Sequence, residues 1–138
     1  MKIIYIDIDV KFEEFVKGDL KIYELIMENM KFIEKKFGKF ITYIRKSSSG
    51  NVHIKLDFEN DISVLEHFEI RSLMHDDIYR IGIDLRRLAI HGEDEINRIF
   101  DMKFKNGVKF EAGNWEEWAY HKGNINDLLK DLNGDDNE

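Results

Sequence analysis

Cysteine, proline and glutamine are absent from the 138 residues. Without cysteine there is no disulfide framework, no thiolate metal site and no cysteine nucleophile. No apolar run approaches the ~18 residues that a transmembrane helix needs. Met1 leads straight into a strand-like segment, so no signal peptide is expected. The expectation is a cytoplasmic protein with no membrane partner. A chain that is 43% hydrophobic and 36% charged is too apolar for disorder and too charged for a membrane protein. Its length suits one domain able to bury a core without staples. The net charge of −7 excludes a general polyanion-coating role. Asp131, Asp135, Asp136 and Glu138 account for four of those charges, leaving −3 for the rest of the chain. Isoleucine (19) outnumbers leucine (10), and Lys and Glu are abundant. That bias fits a thermophile or an AT-rich genome, although the lack of proline is no thermophile sign.

Residues 2–10 alternate, with Ile4, Ile6 and Ile8 on one face and Ile3, Tyr5, Asp7 and Asp9 on the other; this predicts a strand with one apolar face. Residues 19–37 predict a helix capped by Asp19 and ended by Gly38, with Ile22, Tyr23, Ile26, Met30, Ile33 and Phe37 on its core face. Residues 39–46 and 51–58 predict two strands joined by Ser47-Ser48-Ser49-Gly50. A second helix is expected over 61–75, capped by Asn60 or Asp61 and turning Val64, Leu65, Phe68 and Leu73 inward. The alternation of 78–86, IYRIGIDLR, predicts a fourth strand. A hairpin over 96–112 turns at Asn106-Gly107, where both residues tolerate positive φ, with Phe100, Met102 and Phe104 matched to Val108, Phe110 and Ala112. Trp115 and Trp118 are expected to close over the core edge, and 124–132 to form a short helix. The expected architecture is thus α+β: a ferredoxin-like, RNA-recognition-motif-like β-α-β-β-α-β sheet with two helices on one face, extended by the hairpin. Residues 1–120 form the domain, and 121–138 a short helix and acidic tail.

In that fold the open sheet face collects Asp7 and Asp9 from the first strand, His53, Lys55 and Asp57 from the third, and Arg80, Asp84 and Arg86 from the fourth. Carboxylates two residues apart on a strand are about 6.5–7 Å apart along it. With a third from a neighbouring strand they can converge on one or two Mg²⁺ or Mn²⁺ ions, which favour oxygen ligands and keep waters that phosphates replace. His53 and the arginines would then hold phosphates. That is the layout of metal-assisted phosphoryl transfer. Converging carboxylates would also raise the pKa of at least one of them by mutual repulsion. Each element has a plainer reading as well. Asp-x-Asp is common near strand ends, a strand histidine is more often hydrogen-bonded than a ligand, and a serine run is most often a turn.

The constellation resembles the archaeo-eukaryotic primase superfamily, whose palm is an RNA-recognition-motif-like sheet. Ile4-Tyr5-Ile6-Asp7-Ile8-Asp9 is similar to its hydrophobic Asp-x-Asp motif, Ser47-Ser48-Ser49-Gly50-Asn51-Val52-His53 to its serine- and glycine-rich loop before a histidine strand, and Ile83-Asp84 to its third motif. The resemblance implies that Asp7, Asp9 and Asp84 are catalytic metal ligands for Mg or Mn. It implies that Ser49 and His53 contact the phosphates of a nucleotide or nucleic-acid end. The chain also resembles small proteins of archaeal viruses and plasmids, through Asp76-Asp77-Ile78-Tyr79-Arg80-Ile81-Gly82-Ile83-Asp84. Asn51 stands where the primase loop usually has glycine, and the zinc module of cellular primases has no cysteines to form it. A haloacid-dehalogenase reading of Asp-x-Asp fits less well, because Val10-Lys11 follows it and the element order is not doubly wound.

The function expected is divalent-metal-dependent nucleotide or nucleic-acid-end binding, extending to nucleotidyl transfer. Its metal and catalytic residues would be Asp7, Asp9 and Asp84, and its phosphate contacts Ser49, His53, Lys55, Arg80 and Arg86. The alternative is a non-catalytic ferredoxin-like adaptor or regulator whose open face meets a second copy, another protein or nucleic acid. Direct single-strand binding would need stacking aromatics, of which the open face offers chiefly Tyr5 and Tyr43.

Overall fold

A computed structural model of the chain describes residues 1–118. The segment 121–138, with the short helix expected at 124–132, lies outside the described residues. Among the described residues there are four α-helices and two antiparallel sheets, so the class is α+β. Strands β1 (Ile3–Lys11), β2 (Phe40–Lys46) and β3 (Asn51–Phe58) form most of the larger sheet. Its order is β1-β3-β2-β6, where β6 is the two-residue strand Glu116–Glu117. The register sets Asp7 opposite His53 and Arg45 opposite His53 on its other side.

Helices α1 (Phe12–Phe15), α2 (Lys21–Phe37) and α3 (Val64–Leu73) accompany this sheet. The strand alternation is realised as expected. Ile4, Ile6 and Ile8 of β1 and Val52, Ile54 and Leu56 of β3 are fully buried in one cluster with Ile26, Met30 and Ile33 of α2. Each such aliphatic side chain stabilises the fold by about 1.5–3 kcal/mol. Trp118 joins this core against Phe15 and Tyr23.

Two helix starts differ from expectation. Leu20, not Asp19, precedes α2 without a side-chain cap. Ser63, not Asn60 or Asp61, caps α3: its hydroxyl accepts from the Glu66 N–H while the Glu66 carboxylate accepts from the Ser63 N–H. The inward face of α3 also differs. Leu65 is exposed, whereas His67, Ile70 and Arg71 are buried.

The larger correction concerns 78–86. This segment is not a fourth strand but part of helix α4 (Ile78–His91). The Asp77 carboxylate starts it by accepting from the N–H groups of Tyr79 and Arg80. Arg80, Asp84 and Arg87 recur at helical spacing, and Asp84 is the one buried residue of α4. It meets Arg71, which is wholly buried on α3. The edge of β1 where a strand was expected is satisfied by single groups instead. The Asn97 side chain accepts from the Tyr5 N–H and donates to the Tyr5 carbonyl, at 2.7 and 2.9 Å. Asp76 accepts from the Asp7 N–H at 2.7 Å, and the Asp77 N–H donates to the Asp7 carbonyl at 2.9 Å.

The hairpin forms as β4 (Met102–Lys105) and β5 (Val108–Glu111), with φ of 54° at Asn106 and 76° at Gly107. Lys105 pairs with Val108 and Lys103 with Phe110, while Phe104 opposes Lys109 and Met102 opposes Glu111. The expected matching of Met102 and Phe104 with Val108 and Phe110 is therefore corrected, because a two-residue loop puts those sets on opposite faces.

Candidate functional site

A cleft of about 330 Å³ opens between the C-terminal part of β1, the serine loop, α4 and the 98–103 segment. Asp7, Ser49, His53, Arg80 and Asp84 all line it, together with Arg87, Arg98 and Lys103. Five of the eight residues expected to form a site are thus brought together, although by a different fold. The other three are not. Asp9 lies one strand position beyond, accepts from the Asn51 side chain at 3.2 Å and borders a different hollow with His75 and Asp77. Lys55 sits over the rings of Tyr43 and Trp115, at 4.5 and 4.9 Å. Arg86 is on the exposed side of α4.

Asp7 and His53 face each other across β1 and β3, with Asp7 Oδ1 3.9 Å from His53 Nε2. His53 is nearly buried beneath Trp115, whose ring stacks on the imidazole at a centroid distance of 6.3 Å. Arg45 donates from Nε to His53 Nδ1 at 3.0 Å. A nitrogen that accepts from arginine carries no proton, so the imidazole proton sits on Nε2, toward Asp7. Burial, with Arg45 and Arg80 nearby, pushes the His53 pKa down to about 3. The 3.9 Å contact is therefore that of a neutral imidazole and a carboxyl, not an ion pair.

Asp7 is the reverse case: burial pushes its pKa up to about 6, against the pull of Arg80. Repulsion from Asp76, Asp77 and Asp9 adds smaller contributions. A raised carboxyl was expected from convergence of Asp7, Asp9 and Asp84, but the main cause is desolvation.

The serine loop divides its labour. Ser47 is buried and its hydroxyl accepts from the N–H groups of Ser49 and Asn51, at 3.2 and 2.9 Å, which holds the turn. Ser49 faces the cleft, where its hydroxyl accepts from Lys103 Nζ at 3.0 Å and its carbonyl from Lys11 Nζ at 3.2 Å. The two arginines of α4 differ as well. Arg80 is held by the Asp76 carboxylate at 2.7 Å and the Tyr5 carbonyl at 3.1 Å. Arg87 is half-exposed and only 3.6 Å from Asp84.

The Asp84 carboxylate is already used. Oδ2 accepts from Arg71 Nη1 at 2.7 Å and from the Asn97 N–H at 2.9 Å. Among the described residues no group of three His, Asp or Glu is placed to hold a metal ion. Asp7, Asp9 and Asp84 therefore do not form the three-carboxylate donor set expected for Mg or Mn, and Asp7 is the one of the three left with a carboxylate open to the cleft.

No family model, curated protein or solved structure matches this chain.

Periodicity gave no sign of Arg45, Arg87, Arg98 or Lys103 as site residues. Arg45 is set opposite His53 by a register in which Ser47 and Asn51 close a three-residue turn. The other three come from α4, from the turn after it and from β4, whose positions depend on the 92–101 connection. The expected open sheet face is also partly covered, by Trp115 lying 4.3 Å over the Arg45 guanidinium and 6.0 Å from Tyr5.

Proposed function

We propose that the cleft binds the phosphate of a nucleotide or nucleic-acid end. The observation that carries this reading is the convergence of Arg87, Arg98 and Lys103 with Ser49 and the neutral His53 in a cleft whose carboxyls are Asp7 and the Arg71-paired Asp84. Half-exposed cations, a hydroxyl and an imidazole N–H are the donors that a phosphate accepts from. Asp7, its pKa pushed up to about 6 by burial, carries least negative charge below that pH, where it opposes a bound phosphate least. Any Mg²⁺ or Mn²⁺ would take Asp7 as its protein ligand and phosphate oxygens and water for the rest, as Mg²⁺ commonly does. Binding is the activity assigned. Nucleotidyl transfer through three carboxylates is not, because Asp84 is committed to Arg71.

The primase-palm likeness supports the same reading in reduced form. The β1-β3-β2 neighbourhood, with α1 and α2 after the first strand and α3 after the third, is compatible with the start of a ferredoxin-like order, while α4 stands where its last strand would come in the sequence.

Titration calorimetry with a nucleoside triphosphate, a 5′-phosphorylated dinucleotide and the unphosphorylated nucleoside, each with and without Mn²⁺, tests this. The phosphorylated ligands are expected to bind, at least fivefold more weakly to Lys103→Ala and Arg87→Ala, and the nucleoside not at all. Equal binding of nucleoside and nucleotide, or indifference to both substitutions, would sink the proposal.

A further inference from the structure

The β4–β5 ribbon stands outside the hydrophobic core. Every one of its residues except Lys103 is exposed. Phe104 and Phe110 are 68% and 42% exposed, and Phe100, just ahead of β4, is 73% exposed. Lysines are interleaved with these rings. Residues 102–110 carry Lys103, Lys105 and Lys109 and no Asp or Glu, in a chain whose net charge is −7. None of the motifs that carry the primase resemblance falls in this segment. Rings and cations alternating on an extended backbone suit a polyanion that has rings of its own.

Residues directly opposed across two strands share a face. Lys103 opposes Phe110 and Lys105 opposes Val108, so these four lie together. Lys103 Nζ is 5.8 Å from the centre of the Phe110 ring and 3.0 Å from the Ser49 hydroxyl in the cleft. This face of the ribbon therefore runs on from the cleft, which Arg98 and Phe100 also line. Lys105 stands one step farther along β4, about 6.5–7 Å from Lys103, and enters no ion pair among the described residues. The opposite face carries Phe104, but its Lys109 is paired with Glu111 at 2.8 Å. The cation left open is thus on the side that adjoins the cleft.

We infer that the ligand is a phosphorylated single strand of nucleic acid, its end phosphate in the cleft and its following residues laid along this face of the ribbon. The inference rests on the phosphate reading of the cleft and extends it. Phe100, beside the cleft, offers a ring to the first base and Phe110 to the next, while Lys105 meets a phosphate beyond the first. A duplex fits less well, because its bases are stacked on one another and keep their faces from Phe110. An anionic lipid surface fits less well too. It would be met by the tip of the ribbon, where Asn106 and Gly107 have no apolar side chain to bury.

Titration calorimetry of the full chain with thymidine 5′-monophosphate and with 5′-phosphorylated tetrathymidylate is the test. The tetranucleotide is expected to bind roughly tenfold tighter than the mononucleotide, and to lose affinity more steeply with salt. Phe110→Ala and Lys105→Ala, neither of which lines the cleft, are each expected to weaken the tetranucleotide roughly fivefold and leave the mononucleotide unchanged. Phe110→Tyr keeps a ring and should retain wild-type affinity, which separates stacking from damage to the hairpin. Equal affinities for the two ligands would overturn the inference and leave the cleft reading standing. So would a tetranucleotide indifferent to both alanine substitutions, equal binding of a blunt duplex, or binding to phosphatidylserine vesicles in place of the tetranucleotide. Failure of both nucleotides to bind would overturn the cleft reading and the inference together.

Discussion

Asp7→Asn is the perturbation that most directly tests the electrostatics of the cleft. In the folded protein burial raises the Asp7 pKa from 3.8 to about 6, so the ionised carboxylate opposes folding. Below pH 3.8 the group is protonated in both states and contributes nothing. Between 3.8 and about 6 the folded state holds a proton that the unfolded state has lost, so stability falls as pH rises. Above pH 6 the full penalty persists. A carboxyl displaced this far corresponds to about 3 kcal/mol. The side chain keeps 32% of its surface in water, and solvent screening reduces the figure to roughly 1–2 kcal/mol. Asparagine keeps the shape and removes the charge. Asp7→Asn is therefore expected to be more stable than wild type by about 1–2 kcal/mol at pH 7.5, and about equal at pH 4. His53 and His67, with pKa values pushed down to about 3 and about 4, act with the opposite sign. The unfolded chain takes up their protons below pH 6.5, so their effect is lost stability on acidification. They are present in both proteins, and the difference between the two urea-unfolding curves at each pH isolates Asp7. A difference that is flat with pH, or that favours wild type at pH 7.5, would refute the burial account of Asp7.

The remaining predictions concern how α4 is fixed. Asp84→Ala leaves the fully buried Arg71 with only Asp76, which Arg80 shares, and is expected to cost up to about 3–5 kcal/mol, whereas Arg71→Met with Asp84→Leu should recover much of that loss; equilibrium denaturation of the two variants and the wild type decides it. Asn97→Ala leaves the Tyr5 N–H without its side-chain partner, while the Tyr5 carbonyl keeps Arg80, and is expected to cost about 1–3 kcal/mol. Faster amide exchange at Tyr5, with Ile54 in mid-sheet unaffected, would show that the loss is local to the β1 edge.

The helix at 78–86 and the gathering of Asp7, Ser49, His53, Arg80 and Asp84 at one cleft have a common physical root. Ile4, Ile6 and Ile8, and Tyr23 through Phe37 on α2, were legible because an apolar core rewards one period and no other. The segment IYRIGIDLR satisfies both periods: its apolar residues alternate, while Arg80, Asp84 and Arg87 fall on one helical stripe. What decides between them is Arg71, a charged residue with no exposed surface, which no reading of hydrophobic pattern would place in a core. Once Arg71 is buried, two carboxylates must reach it. Asp76 does so at 2.6 Å from the turn before α4 and Asp84 at 2.7 Å from one of its middle turns, whereas a strand would hold residues eight apart roughly 26 Å from each other. The i, i+4 ladder Asp76–Arg80–Asp84 was the available sign of this. Asp84 thereby reaches the same cleft as Asp7 and His53 by a helical route instead of a strand. On α4 the Asp84 carboxylate neutralises Arg71, and the cleft is left with more half-exposed cations than carboxylates.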